Sequence, residues 1–194
     1  MQIGIPAEII AGETRVAATP DTVKKYITAG YTVVVQAGAG VNASVPDASF
    51  SAVGASIVHD AAAAYASDII LKVQAPTAEE IALIKDGATV VAMFDPYRNP
   101  NLAAFAAKNL QCFALELLPR TLSRAQNMDV LSSQSNLAGY KSVLLAANEY
   151  QRPFPMFMTS AGTVKPARIV IMGVGVAGLQ AIATAKRLGA VVEA

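Results

Sequence analysis

Short apolar runs alternate with helical patterns along the first two thirds of the chain. Continuous apolar runs occur at 68–73, 89–94 and 112–117, and runs without polar alternation are typical of buried parallel strands. The stretches between them, 76–87 and 99–110, open with turn or capping residues and carry apolar residues at helical spacing. This βαβ series predicts an α/β fold, with a parallel sheet that has helices on both faces.

The pattern changes after Leu118. The stretch 119–136 mixes Ser, Arg, Gln, Asn and Asp with apolar residues and predicts a polar loop. From about Ser132 the spacing predicts a long helix, which ends before the two prolines of 151–155 because proline interrupts a helix. These features divide the chain into an N-terminal α/β domain of residues 1–131, a linking helix of 132–155, and a second domain of 156–194.

The second domain contains an apolar strand, a glycine-rich turn and an alanine-rich helix. Gly173, Gly175 and Gly178 have the G-x-G-x-x-G spacing of dinucleotide-binding sites. In such a site the first glycine makes the tight turn, the second lets a pyrophosphate approach, and the third allows close helix packing. The sequence therefore predicts the start of a Rossmann NAD-binding domain. A glycine-rich helix start used only for packing is the alternative.

The same fingerprint includes an acidic residue about 20 positions later, at the carboxyl end of the second strand, which binds the ribose hydroxyls. Glu193 is close to this position but falls within the expected strand, so we expect the acid to follow Ala194. On this pattern the Rossmann domain is truncated. We expect the 194 residues to be an incomplete form of a longer protein that alone binds NADH weakly or not at all.

Composition excludes several classes of function. The 15 Lys and Arg nearly balance the 14 Asp and Glu, which argues against a nucleic-acid partner because such proteins carry a basic surplus. No apolar run approaches the roughly 18 residues of a membrane span, and the start lacks the features of a signal peptide, so we expect a cytoplasmic protein. His59 and Cys112 are the only residues of their types; we expect no metal site, and Cys112 as a buried strand thiol.

Several stretches together resemble one family along the whole chain. They are IGIPAE, ETRVAATP, QAGAG, ILKVQAP, SRAQNMDVLSSQSNLAGY, SAGTV and GVGVAGLQAIATAKRLGA. The chain resembles the NAD(H)-binding component of proton-translocating NAD(P) transhydrogenases, the alpha subunit or its N-terminal part. The N-terminal motifs are shared with the related alanine dehydrogenases, whereas the motif that begins SRAQ is specific to transhydrogenases.

This resemblance implies an enzyme that transfers hydride directly from NADH to NADP⁺ and couples the transfer to proton translocation. The NADP(H) would be bound by a partner component, and a further component would form the membrane proton channel. The resemblance also implies a homodimer that is peripheral to the inner membrane through these partner subunits. Because the cofactors carry the chemistry, no general acid or nucleophile of the protein is required.

The resemblance also assigns site residues. Arg120, Asp129 and Ser132 would hold the carboxamide and nicotinamide of NAD(H), and Gln126 would reach toward the second nucleotide, so Gln126 and Asp129 are the candidate catalytic residues. Such a loop offers both the donors and the acceptors that a carboxamide needs; a solvated polar loop is the alternative. The family usually has one residue fewer between this arginine and the following serine, so Arg124 could replace Arg120. The cofactor-binding residues of the glycine-rich turn would be Gly173, Gly175, Val176 and Gly178.

Two other functions stay open, an alanine dehydrogenase-like enzyme and a non-catalytic nucleotide-binding module. In alanine dehydrogenases an arginine and a lysine bind the substrate carboxylate, and a histidine after the fifth strand transfers the proton. Arg15 and Lys72 match the first two positions, but Asp95 lies near the place of the histidine, so deamination would lack its proton relay. We therefore expect Arg15 and Lys72 to be structural charge partners only.

Overall fold

Strands and helices alternate as the hydrophobic pattern predicts. The computed structural model describes all 194 residues, in two units, Met1–Pro119 and Arg120–Ala194. The first unit contains β1 (Gln2–Ile5), α1 (Pro20–Thr28), β2 (Thr32–Gln36), α2 (Asp47–Ala52), β3 (Ser56–Val58), α3 (Ala61–Tyr65), β4 (Ile69–Gln74), α4 (Ala78–Leu83), β5 (Thr89–Met93), α5 (Leu102–Ala107) and β6 (Gln111–Ala114). The second contains α6 (Ser123–Gln126), α7 (Val130–Glu149), β7 (Phe157–Thr159), β8 (Gly162–Val164), β9 (Arg168–Val170), α8 (Val176–Arg187) and β10 (Val191–Glu193).

The six strands of the first unit form one parallel sheet in the order β3-β2-β1-β4-β5-β6. In the centre of this sheet, Ile3 of β1 is paired with Val33 of β2 and with Ile69 of β4. One apolar cluster includes Ile3 and is packed by Ile69, while a second cluster includes Ile70. Successive residues of a strand point to opposite faces, so the sheet is covered on both faces. The predicted α/β fold is confirmed.

Capping side chains fix the starts of several helices. Thr19 is the N-cap of α1 and its Oγ1 accepts a hydrogen bond from the Thr22 N–H at 3.3 Å. At α4, Thr77 and Glu80 form a capping box, in which Glu80 Oε2 accepts from the Thr77 N–H at 2.8 Å. The capping box holds the Glu80 carboxylate in a fixed position in the interior of the first unit.

The apolar run 112–117 departs from the expectation of a continuous buried strand. Only its first half belongs to a strand, β6, which lies at the edge of the sheet, and 115–117 forms a 3₁₀ turn. Cys112 is exposed and Phe113 is 57% exposed. The prediction of a buried thiol at Cys112 was wrong, because no α-helix directly follows β6 within the first unit to cover its outer residues.

The second unit is built around two long helices and a βαβ motif. β9 and β10 pair in parallel, with Arg168 opposite Val191, and α8 is the crossover between them. α7 packs along α8, and the core between them includes Val143 and Ala185. β7 and β8 form a separate antiparallel hairpin. No helix of the chain has the length and apolar character needed to cross a membrane.

Candidate functional site

The glycine-rich turn joins β9 to α8. Gly173 has a φ of 105°, a conformation that side-chain-bearing residues rarely adopt. A Cβ on Gly178 would lie 2.8 Å from the Gly173 carbonyl carbon and closer still to its oxygen, so only glycine lets α8 begin this close to the turn. A Cβ on Gly175, in contrast, would have no atom within 4 Å. The turn therefore requires glycine at 173 for its backbone conformation and at 178 for close packing, whereas it is open at Gly175.

α8 begins at this open side without a side-chain cap. Gly175 is its N-cap residue and supplies no side-chain acceptor, and the first turn carries no acidic residue. Val176, the first helical residue, is 44% exposed. The N–H groups of a first helical turn have no partners within the helix, and the helix dipole makes this end positive. Such an end can bind an anion such as a pyrophosphate.

Asp129 is the N-cap of α7 and holds Ser132. Its carboxylate accepts hydrogen bonds from the Ser132 N–H at 2.9 Å and from the Ser132 hydroxyl at 2.5 Å. These hydrogen bonds, together with the positive charge of Arg120, lower the pKa of Asp129. The structure thus brings the three candidate nicotinamide ligands into one neighbourhood, and Asp129 is ionised at neutral pH. Arg120 contributes to this lowered pKa through its positive charge; the choice between Arg120 and Arg124 as the nicotinamide ligand stays a prediction.

Gln126 lies at the end of the short helix α6, three residues before Asp129. The Asp129 N–H donates to the Gln126 carbonyl oxygen at 3.3 Å, which connects the two residues through the backbone. The neighbouring Ala125 is 4% exposed and anchors the helix, whereas the Gln126 side chain is exposed and makes no hydrogen bond. The structure therefore does not join the Gln126 amide to the Asp129 carboxylate. It leaves that amide accessible from outside.

Glu193, the acidic residue nearest to the ribose-binding position by count, is engaged elsewhere. It lies in β10 and its carboxylate forms an ion pair with the guanidinium of Arg168 on the paired strand β9. Both side chains are largely exposed, at 54% and 77%. This ion pair joins the two strands diagonally, since Arg168 is opposite Val191 and Glu193 is opposite Val170, and it accounts for the position of Glu193 without a ligand.

Lys72 is completely buried in the first unit. Its Nζ lies 2.6 Å from Glu80 Oε1 and 3.3 Å from Glu8 Oε2, and Glu80 Oε1 also accepts a hydrogen bond from the Tyr65 hydroxyl at 2.5 Å. Burial, aided by this bond to a carboxylate, raises the pKa of Tyr65 far above its usual range. One ammonium group therefore lies between two carboxylates, so Lys72 is a charge partner of Glu80 and Glu8; that this is its only role stays a prediction. The sequence did not predict this cluster; a charged residue inside an apolar strand was its only signal.

Arg15 and Asp95 complete the comparison with an amino-acid dehydrogenase site. Arg15 Nη2 lies 2.5 Å from Glu13 Oε2, and this hydrogen-bonded pair lowers the pKa of Glu13 to about 2. Asp95 follows β5 with a φ of 46° and accepts a hydrogen bond from Arg98 Nε at 3.0 Å on the surface. Arg15 is thus a charge partner as expected, and the position near the expected histidine is occupied by an exposed ion pair.

Two family models cover nearly the whole chain. The model described as alanine dehydrogenase/PNT, N-terminal domain, matches residues 4–138, and the corresponding C-terminal domain matches 142–194. The chain is 53% identical to the first part of NAD(P) transhydrogenase subunit alpha of Rhodospirillum rubrum, over 100% of this chain and 52% of that protein. It is 45% identical to NAD(P) transhydrogenase subunit alpha of Haemophilus influenzae, over 100% of this chain and 38% of that protein. Alanine dehydrogenase of Bacillus subtilis is 29% identical, with coverages of 98% and 50%.

Solved structures give the same relationship. The transhydrogenase from Sinorhizobium meliloti superposes with a TM-score of 0.94 at 51% identity, over 99% of this chain and 55% of that chain. An L-alanine dehydrogenase superposes with a TM-score of 0.85 at 28% identity, over 98% of this chain and 53% of that chain. The chain spans about half the length of these relatives. It belongs to the alanine dehydrogenase/PNT family, and it is more similar to the NAD(P) transhydrogenase alpha subunits than to the alanine dehydrogenases.

Proposed function

We propose that this chain is the NAD(H)-binding part of a proton-translocating NAD(P) transhydrogenase. The observation that supports this function is the presence, in one structural unit, of two binding elements of different chemistry. The uncapped start of α8 beside the open Gly175 suits a pyrophosphate. The hydrogen-bonded pair of Asp129 and Ser132, with Arg120 nearby, suits a carboxamide. A dinucleotide needs both at once.

In this function the residues of the chain bind and orient the cofactor. The nicotinamide ring supplies the hydride when NADH is bound. Asp129, kept ionised by Ser132, would accept from the carboxamide NH₂ with its remaining lone pairs, and Arg120 would donate to the carboxamide oxygen. The glycine-rich turn, with Val176 at the helix start, would hold the pyrophosphate. Direct hydride transfer needs orientation rather than a general acid, which agrees with the paired state of Lys72.

The exposed Gln126 amide would reach a second nucleotide, NADP(H), bound by a partner component. The relatives are named as alpha subunits, so the proposal includes partner subunits, one that binds NADP(H) and one that forms the membrane proton channel. The chain would then lie on the cytoplasmic side, peripheral to the inner membrane through those subunits. A homodimer, as the family resemblance implies, belongs to the same proposal. The domain limits of 1–131, 132–155 and 156–194 also stay a proposal.

The proposed function predicts selective binding of NADH. In the full polypeptide that carries this sequence, we expect a dissociation constant for NADH at least about tenfold below that for NADPH, because an acidic ribose-binding residue repels a 2′-phosphate. Isothermal titration with both nucleotides measures this directly. Similar constants for the two would contradict the proposal. The two alternatives give other results: a non-catalytic module would bind NADH without transferring hydride, and an alanine dehydrogenase would reduce NAD⁺ when L-alanine is added.

The role of Gln126 gives a second prediction. Gln126→Leu should slow hydride transfer to the partner's NADP⁺ by about tenfold or more while changing NADH affinity less than about threefold, since its exposed side chain makes no bond within the chain. Stopped-flow transfer and NADH titration separate the two quantities. Gln111→Leu, the same change at an exposed position of β6, is the control. Equal losses of transfer and of NADH affinity would remove the proposed role.

A further inference from the structure

The two long helices of the second unit touch backbone to backbone at Gly139. Gly139 is buried in α7, and a Cβ there would lie 2.9 Å from the carbonyl carbon of Ala177 and closer still to its oxygen. Ala177 is the second residue of α8. Because the atoms in contact are backbone atoms, no side-chain rotation can relieve the overlap. Glycine at 139 therefore sets how closely the first turn of α8 approaches α7.

The relative direction of α7 and α8 determines which helix ends lie on either side of this contact. At the other end of the pair, Ala147 of α7 and Leu188 after α8 line the same cavity, so the two helices run in the same general direction. α7 begins nine residues before Gly139, at Val130, so its first turns extend past the start of α8. At 1.5 Å per residue, Ser132 lies about 10 Å beyond Gly139 along the axis. A ligand anchored at the start of α8 would thus have the Asp129–Ser132 pair beside its far end.

We propose that Gly139 is a positioning residue, which sets the spacing between the pyrophosphate-binding start of α8 and the nicotinamide-binding start of α7. This inference rests on the proposed function, since it assumes a dinucleotide that touches both sites. A Cβ at 139 would displace one helix from the other by about 1 Å, and a misplacement of this size can reduce a reaction rate about a hundredfold. Each site would stay intact by itself. Only their spacing would change.

The test compares two ligands on the Gly139→Ala variant of the full polypeptide. ADP-ribose carries the pyrophosphate but no nicotinamide, so it should bind the variant within about threefold of the unaltered protein. NADH uses both sites, so the ratio of NADH affinity to ADP-ribose affinity should fall about tenfold or more, and hydride transfer to NADP⁺ on the partner component about a hundredfold. A role in stability alone would lower the melting temperature and leave this ratio unchanged.

Val143→Ala is the matched control. Val143 lies one helical turn further along α7, in the same core cluster as Ala181, and its truncation destabilises the interface without forcing the helices apart. It should lower the melting temperature and keep the affinity ratio. If Gly139→Ala does not fold, Val143→Leu replaces it, because the added methylene pushes the same helices apart and should lower the ratio by a smaller factor.

The outcomes separate this inference from the proposed function. If the unaltered protein binds NADH no more tightly than ADP-ribose, the nicotinamide site is wrong and both the proposed function and the spacing role fail. If the unaltered protein prefers NADH and neither Gly139→Ala nor Val143→Leu changes that preference, only the spacing role fails. The spacing role is supported if the ratio of NADH affinity to ADP-ribose affinity falls in Gly139→Ala and Val143→Leu but not in Val143→Ala.

Discussion

Replacing Lys72 with methionine should lower the free energy of unfolding of the first unit by about 3–5 kcal/mol, because it leaves buried carboxylates without their counter-ion. Both carboxylates beside Lys72, those of Glu80 and Glu8, have side chains that are at most 6% exposed. Hydrogen exchange of the β1 and β4 amides, which lie at the centre of the sheet, reports this loss in the unit that contains the cluster.

Two further variants make the Lys72 experiment specific. Lys85→Met removes an ammonium group that pairs with Asp68 at the surface, where both side chains are more than a third exposed, so its effect should stay below about 1 kcal/mol. Adding Glu80→Gln to Lys72→Met should restore part of the lost stability, since glutamine removes one buried charge and keeps the capping box with Thr77. A Lys72→Met protein of normal stability that has lost its activity would instead show a functional lysine.

The parts of the fold that the sequence predicted correctly depend on local patterns. The buried strands β4 and β5, the capping residues of α4 and the long helix α7 each follow from residues within one turn or one strand. The need for glycine at 173 and 178 also follows from local spacing, because the turn takes a positive φ at Gly173 and a side chain at 178 would overlap the Gly173 carbonyl.

The features that the sequence did not predict depend on residues far apart in the chain. Glu8 and Lys72 meet only because β1 and β4 are neighbours in the sheet. The exposure of Cys112 depends on which helices cover β6, and an apolar run does not contain that information. The contact of Gly139 with Ala177 depends on the relative position of two helices. The hydrophobic pattern predicts which face of each helix is buried, but not how the two helices are aligned along their axes.

The second large effect is expected at Gly175, where stability and binding should separate. Gly175→Ala should change the free energy of unfolding by no more than about 1 kcal/mol, the usual scale of an N-cap substitution, because the new methyl group meets no atom within 4 Å and the φ of −72° suits alanine. That methyl group would occupy the open side on which a pyrophosphate must approach. Loss of two charge-assisted hydrogen bonds, at about 1.5 kcal/mol each, corresponds to roughly a hundredfold weaker binding of NADH.

Gly178→Ala is the contrasting variant in the same turn, because it should reduce stability as well as NADH binding. Its methyl group would collide with the backbone carbonyl of Gly173, so the turn must deform before any ligand arrives, and both stability and NADH affinity should fall. Thermal melts and NADH titrations measure the stability and the NADH affinity of both variants. If the two glycines had the same structural role, both variants would lose stability and affinity together. If Gly175→Ala binds NADH as tightly as the unaltered protein, the open side of the turn is not where the pyrophosphate lies. The start of α8 would then serve only for packing against the turn.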